Sequence, residues 1–229
     1  MSKPTDHHNR YDHNDLLWDY ACGSLSQASY LLVENYVALC KDAARTLSRF
    51  ESIGGALIEG HCAPVAMNKQ SLDAVLAAMN STQMSSELAH NKKEPKNLAF
   101  LNYHKFPEPL FHHIKQSEES LKWKRFTRGM SYCPLAFEDD KQTATLLRVA
   151  PGMKTPHHSH HGLEMTLVLQ GAFEDETGLY RAGDLMIADD DLHHQPVATK
   201  DEVCLCLVVS DAPAQFTGRF MGLLNFLNH

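Results

Sequence analysis

The sequence predicts an α plus β protein of two domains, a small helical bundle followed by an all-β domain. Apolar residues recur with helical spacing up to about residue 85. From about Pro107 the pattern changes to short apolar segments separated by Gly and Pro turns. The stretch between the two patterns is polar and typical of a linker. We therefore expect a helical domain at 1–85, a linker at 86–106 and a β domain at 107–229.

Two helices are expected near the start of the chain. The first follows a polar start at Asn14 and Asp15, and Gly23 with Ser24 ends it. Its apolar face consists of Leu16, Leu17, Tyr20 and Ala21. The second helix begins at about Ser26. Its apolar set consists of Leu31, Leu32, Val33, Tyr36, Leu39 and Cys40.

Two further helical segments complete the first domain. One runs from Lys41 or Asp42 to Ser52, and we expect Gly54 and Gly55 to end or kink it because glycine weakens helices. The last is a short helix from Ser71 to Asn80. Its apolar side consists of Leu72, Val75, Leu76 and Met79.

The second half of the chain contains several segments rich in β-branched and apolar residues, which predict strands. They are Ala144–Val149, Leu167–Leu169, Leu185–Ile187 and Val203–Val209.

A histidine-rich motif connects the first two of these strands. It runs from Gly152 to Gly171, with spacing Gly, five residues, His-x-His, three residues, Glu, six residues, Gly. This spacing matches the first signature of the cupin proteins, which form a double-stranded β-helix or jelly-roll barrel. Alternate residues of a strand share a face, so His158 and His160 point the same way, and after the turn at Gly162 the side chain of Glu164 can return to them. These three residues are the predicted metal ligands.

A second motif supplies the fourth ligand. Gly183 and His194 have the separation of the second cupin signature, which makes His194 a ligand. The motif is altered, because Asp189 and Asp191 stand where Pro and Gly are usual, and Ala198 replaces Asn. Asp tolerates turn conformations, so we expect the fold to be kept. The neighbouring His157, His161 and His193 should point to the opposite face, toward solvent or outside the ligand shell.

Three imidazoles and one carboxylate form a strong site for a divalent metal. We expect one zinc ion in the β domain, with iron, manganese or nickel as alternatives. Zinc with four protein ligands would be structural, whereas a six-coordinate metal would keep two positions for water, oxygen or substrate.

Composition excludes some functions. The net charge of −7 provides no basic stripe for phosphates, so direct nucleic-acid binding is not expected. No apolar run is long enough to span a bilayer and the first residues lack a signal-peptide core, which predicts a cytoplasmic protein without membrane association. The six cysteines show no disulfide framework and are expected to be thiols; Cys204 and Cys206 share one face of a strand and are interpreted as core residues.

The chain also resembles a protein family. The segment from His160 to Pro213 is similar to the C-terminal cupin of ChrR-type anti-sigma factors. Leu16–Leu25 and Glu51–Ala56 resemble the helical anti-sigma domain of the same proteins. The resemblance implies that the helices bind an extracytoplasmic-function sigma factor and keep it from core RNA polymerase. It also implies that the cupin takes part in releasing the sigma factor under stress, typically photooxidative stress, and it is compatible with a homo-oligomer through the cupin.

The chain departs from this family in the helical domain. ChrR-type domains hold zinc with an early His and a His-x3-Cys-x2-Cys motif, which here falls on Tyr36, Cys40 and Ala43. The early His position falls on Tyr11, with His13 two residues away. One cysteine cannot hold structural zinc, so we expect packing to replace the metal and no zinc in this domain.

Other functions remain open from the residues alone. A metal-dependent cupin enzyme, such as a dioxygenase or isomerase, is the main alternative, although it would not need residues 14–80. Arg128 and Arg148 are candidates for binding a substrate carboxylate, but the preferred interpretation is ordinary surface arginine. Cys133, Met153 and Met165 are candidate oxidation points of a sensor, with core packing preferred. A stand-alone metal-binding or storage protein leaves the helical half without a purpose.

Overall fold

The computed structural model describes residues 11–66, 68, 70–79, 106–116, 121–137, 142–212 and 215–216. Helix α1 spans His13–Cys22. Asp12 caps it by accepting hydrogen bonds from the backbone N–H groups of Asn14 and Asp15, and the Asp15 carboxylate accepts from Asp12 N–H in return. Gly23 ends the helix in the left-handed conformation (φ 69°). The predicted first helix and its glycine stop are therefore confirmed.

Helix α2 spans Gln27–Leu39 with Ser26 as its cap, as expected, but α3 differs from its prediction. Helix α3 spans Lys41–His61 and continues through Gly54 and Gly55, so the expected end there is wrong. Neither glycine has a positive φ. Each glycine costs a helix only about 1 kcal/mol, and good helix formers such as Ala56 and Leu57 follow them.

Two short helices follow. Helix α4 covers 71–79, which confirms the predicted segment as far as the described residues reach. Helix α5 spans Glu108–Gln116, where we expected strands to begin, so that expectation is wrong. Leu110 and Ile114 lie one turn apart on α5 and are buried with residues of α2, and Leu110 N–H donates to Asn35 Oδ1 at 3.1 Å. The predicted linker at 86–106 falls outside the described residues except for Phe106, so the domain boundaries remain a prediction.

The strands of the described residues form one large and two small sheets. The six-stranded sheet has the order β1-β2-β3-β11-β5-β8, and the smaller sheets are β10-β6-β7 and β12-β4-β9. The strand bounds are β1 Lys124–Thr127, β2 Met130–Leu135, β3 Thr143–Val149, β4 His158–Ser159, β5 Glu164–Gln170, β6 Ala172–Asp175, β7 Gly178–Arg181, β8 Leu185–Ala188, β9 His193–His194, β10 Val197–Ala198, β11 Cys204–Ser210 and β12 Gln215–Phe216. Strands β3, β5 and β8 contain three of the segments predicted from the sequence, and β11 contains the fourth except for Val203, since this strand begins at Cys204. All paired strands are antiparallel, as a jelly-roll barrel requires.

The two faces of the six-stranded sheet belong to different interiors. One face packs on the helices, so that Leu146 and Leu207 share a core with Leu16 and Leu32. The other face points into the barrel, where Cys204 and Cys206 pack near Phe173 of the opposite sheet. Strand alternation places neighbouring residues in the two interiors. The helices and the barrel are therefore joined by a common hydrophobic core.

A polar contact at the edge of this core adds to the connection. The hydroxyls of Ser26 and Ser29, at the start of α2, both donate to the side-chain oxygen of Gln142. The amide nitrogen of Gln142 in turn donates to Asp211 Oδ1 at 2.7 Å, just after β11.

Among the described residues, no helix has the length and apolarity needed to cross a membrane.

Candidate metal centre

Three histidines and one glutamate converge at one end of the barrel interior. His158 lies on β4, His160 directly follows it, Glu164 begins β5 and His194 ends β9. One nitrogen or carboxylate oxygen from each of the four lies within 4.8 Å of the others. Strands β4 and β9 pair with His158 opposite His194, and this register brings the two motifs together. All four side chains are buried.

The imidazole nitrogens are close enough to share one ion. His194 Nε2 lies 3.2 Å from His158 Nε2 and 3.0 Å from His160 Nε2. Nitrogens about 2.1 Å from one metal would be about 3.0 Å apart at right angles and about 3.4 Å apart in a tetrahedron. The observed distances lie within this range, so the residues fit a divalent metal.

Outer contacts orient two of the rings. His158 Nδ1 lies 2.9 Å from the Pro156 carbonyl oxygen, and His194 Nδ1 lies 2.7 Å from Asp175 Oδ2. A neutral ring that donates its Nδ1–H to such an acceptor presents the lone pair of Nε2 to the centre of the cluster. Both rings are therefore oriented with Nε2 toward the centre of the cluster.

Asp175 is the residue of this site that sequence reasoning missed. It ends β6, and its buried carboxylate accepts from the Thr177 hydroxyl at 2.6 Å and from the Thr177 backbone N–H at 2.9 Å. Burial raises the pKa of Asp175, but hydrogen bonds from His194 and Thr177 outweigh it, and the net pKa is lowered. The only sequence signal is the turn pattern Asp-Glu-Thr-Gly, which also fits an ordinary hairpin turn.

The electrostatics of the cluster favour a cation. Burial lowers the pKa of His158 to about 4, so this ring is neutral at physiological pH. Burial would raise the pKa of Glu164, but the hydrogen bond with His160 and the nearby imidazoles lower it overall, so this residue is a carboxylate. His160 Nδ1 lies 3.3 Å from Glu164 Oε2. A carboxylate among imidazole nitrogens is a donor set suited to zinc and related metals.

The altered second motif keeps its geometry. Asp189 Oδ1 accepts from Asp191 N–H at 3.1 Å, so an aspartate side chain stabilises the turn where Pro and Gly are usual. Ala198 is buried and pairs with Phe173 across the sheet. His157, His161 and His193 are exposed, which confirms that they point away from the cluster.

The other candidate residues do not reach the site. Arg128 is exposed, and Arg148 shares the helix-facing side of β3 with Leu146. Neither lines the barrel cavity, so the candidate role in substrate binding has no support from the geometry. Cys133 and Met165 are buried in the core shared with the helices, and Met153 packs beside Gly129; this placement fits core packing.

The positions of the family's helical zinc motif are occupied by packed side chains. Tyr36 and Ala43 are buried, and the His13 ring packs edge-on against Tyr36 with centroids 5.7 Å apart. Tyr11 donates its hydroxyl to Asp19 Oδ2 at 2.7 Å. Burial lowers the pKa of His13, which keeps its ring neutral at physiological pH. That no zinc binds here remains a prediction.

Comparison with known proteins gives a consistent set of relatives. The family model described as the ChrR cupin-like domain matches residues 112–213. The anti-sigma-E factor ChrR of Cereibacter sphaeroides is 36% identical over 201 residues, which cover 88% of this chain and 89% of that protein. The crystal structure of Rhodobacter sphaeroides SigE in complex with the anti-sigma ChrR matches with 34% identity and a TM-score of 0.67, over 87% of this chain and 97% of the matched chain.

Proposed function

Since this chain belongs to the family of ChrR anti-sigma factors, we propose that it binds and inhibits an extracytoplasmic-function sigma factor through its helical domain. The observation that carries the proposal is the extent of the match, which includes the helices as well as the cupin. The alternative function, a cupin enzyme, would explain the match of the barrel but not the match of the helices. Because a sigma factor acts on RNA polymerase, we place this function in the cytoplasm.

The helices offer a surface for such a partner. The second half of α3 and the helix α4 present large apolar side chains to solvent in the part of the chain that the structure describes. They are Ile53, Leu57, Ile58, Leu72, Val75, Leu76 and Met79. Leu57 and Ile58 are 52% and 64% exposed, although large aliphatic side chains are usually buried. Exposed apolar residues on helices are typical of protein–protein interaction sites, and we place the sigma factor on the exposed apolar residues of these two helices.

The cupin would hold one divalent metal through His158, His160, Glu164 and His194, as their convergence supports. Zinc is the expected ion, with iron, manganese or nickel as alternatives. A bound metal would cross-link β4, β5 and β9 and thereby stiffen one end of the barrel. Because the main sheet of the barrel shares a hydrophobic core with α1, α2 and the first half of α3, a change at this site under stress has a physical route to the helical domain.

The experiment that tests the anti-sigma function is a pull-down from native lysate with the full chain as bait, read by mass spectrometry. We expect recovery of one small sigma factor. Changing Leu57 and Ile58 together to Asp should abolish recovery, whereas Ser52→Asp, an exposed polar position on the same helix, should not. Circular dichroism of each variant establishes that the bait is folded. A folded wild-type bait that recovers no sigma factor would contradict the proposal.

A further inference from the structure

The barrel contains a cavity of about 900 Å³ between the inner face of the six-stranded sheet and the two smaller sheets. Much of its wall is apolar. Prominent apolar wall residues are Phe126, Met130, Leu147, Val149, Phe173 and Val208. Ligand-binding cavities in proteins are usually about 300–1,000 Å³, so this one has room for a large organic molecule.

The burial pattern of the central strands indicates what the cavity suits. Leu147 and Val208 lie in the middle of β3 and β11 and face the cavity, yet they are only half-buried. Their neighbours Leu146 and Leu207 face the helices and are fully buried. Apolar surface gains about 25 cal/mol for each Å² removed from water, so an apolar group along Leu147 and Val208 would be stabilised.

The cavity also has a polar end. His158, Glu164 and His194 belong to its wall, so the predicted metal site opens onto the same space as the apolar residues. With neutral imidazoles and one carboxylate, a divalent cation there would carry a net charge of about +1 with its ligands. A positive centre at one end of an apolar cavity favours a negatively charged oxygen donor over a neutral one.

We propose that the barrel binds an amphiphilic carboxylate, with its head group at the metal site and a hydrocarbon chain of about twelve carbons or more along Leu147 and Val208. This inference rests on the proposed metal site, but it does not depend on the sigma factor. It assigns the cupin a small-molecule ligand as well as a metal.

The test uses the full chain loaded with Co²⁺, whose visible absorption changes when an oxygen donor enters its coordination shell. Dodecanoate, dodecanol and butanoate are titrated separately. We expect dodecanoate to saturate with a change in the Co²⁺ spectrum. Dodecanol has the chain without the charge and should leave the spectrum unchanged. Butanoate has the charge without the chain and should bind at least ~100-fold more weakly, since each buried methylene strengthens binding about four-fold.

Two variants locate the ligand. Val208→Phe and Leu147→Phe each place a larger side chain in the cavity wall and leave the four predicted ligands unchanged. Each should weaken dodecanoate binding about ten-fold or more while Co²⁺ content stays the same. Having two variants keeps the test valid if one of them fails to fold. The control is Glu174→Phe, the same new side chain at an exposed position of β6 outside the cavity wall. It should bind dodecanoate like the wild type.

The outcomes separate the two proposals. A Co²⁺-loaded protein whose spectrum ignores dodecanoate would overturn the ligand proposal and leave the metal site intact. A protein that takes up no Co²⁺ would overturn the ligand proposal and the metal site together. The sigma-factor proposal does not depend on this result. Binding that persists unchanged in both cavity variants would show that dodecanoate binds elsewhere and would overturn the assignment to the cavity.

Discussion

At the scale of single residues, Asp175 controls how His194 faces the cluster. Its carboxylate lies 2.7 Å from His194 Nδ1, and Thr177 holds the carboxylate in place. Because the Nδ1–H is fixed, Nε2 is left as the ligand atom. The orientation of a predicted ligand therefore depends on a hairpin 19 residues earlier in the chain.

We predict that Asp175→Ala weakens metal binding about 10- to 100-fold, because His194 loses the contact that selects its tautomer and orientation. Competition of the full chain with a chelator of known affinity measures this. Glu174→Gln, an exposed carboxylate on the same strand, is the matched control and should bind metal normally. Equal affinities for both variants would mean that Asp175 does not support the site.

Gly171, the last residue of the histidine motif, is required by a close approach of two backbone segments. A Cβ there would lie 2.4 Å from the Val203 carbonyl oxygen, and the residue has a φ of 73°. We predict that Gly171→Ala destabilises the protein by about 2–5 kcal/mol, the sum of left-handed strain and overpacking.

The control for this prediction is Gly152→Ala at the other end of the motif. Gly152 has a similar φ of 70°, but its nearest neighbour is the flexible Lys200 side chain at 3.5 Å. It should cost only about 1–2 kcal/mol. Urea unfolding of both variants gives the comparison, and equal losses would show that the Val203 carbonyl is able to move away.

The four predicted ligands could be identified from the sequence because their spacing is local within two motifs. Asp175 could not be identified in this way. It is one of 28 acidic residues, and its role follows only from strand pairing that brings the β6–β7 hairpin beside β9. Arg128 and Arg148 were plausible candidates by chemistry, but the alternation of β3 directs Arg148 to the helix side.

At the scale of elements, helix ends were predictable where a cap residue marks them. Ser26 and Gly23 mark the start of α2 and the end of α1, and the prediction follows them, whereas the cap of α1 is Asp12 and the predicted start was at Asn14 and Asp15. Two elements were misjudged because local signals competed. Gly54 and Gly55 favour a helix break, but α3 continues through them. Pro107 and Pro109 suggest turns, but Pro107 directly precedes α5 and Pro109 lies in its first turn, where proline is tolerated.

We predict that Gly55→Ala strengthens α3. The site has negative φ and no heavy atom within 4 Å of a new Cβ, so alanine gains about 1 kcal/mol of helix propensity. Amide hydrogen exchange in the last turns of α3 should slow about five-fold. Gly23→Ala, which would place alanine at a φ of 69°, should instead destabilise α1. Unchanged exchange in the Gly55 variant would mean that its helix ends before this point in solution.

At the scale of the whole molecule, the shared core couples the helices to the barrel. Leu146 and Leu207 of the sheet pack with Leu16 and Leu32 of the helices, and Gln142 joins α2 to the end of β11. A protein whose helices share a core with the main sheet of its barrel should unfold as a unit, whatever division its sequence pattern suggests.

We predict that removal of the metal lowers the unfolding midpoint of both parts equally. Trp18 reports on α1 and Trp123 lies just before β1, so Trp123→Phe and Trp18→Phe each leave one fluorescent reporter. Their urea transitions should coincide, with metal and after chelation, and both should shift to lower urea on chelation. A shift confined to Trp123 would show that the helices unfold independently of the barrel.

Because both faces of the six-stranded sheet are apolar, the barrel is difficult to study as a separate fragment. A fragment that begins after α5 would keep the cavity and the histidine cluster but would expose Leu146, Leu167 and Leu207 on an apolar sheet surface. Such a surface invites self-association and aggregation. The helices thus keep the apolar face of the sheet away from water, and packing on this face in turn stabilises the helices.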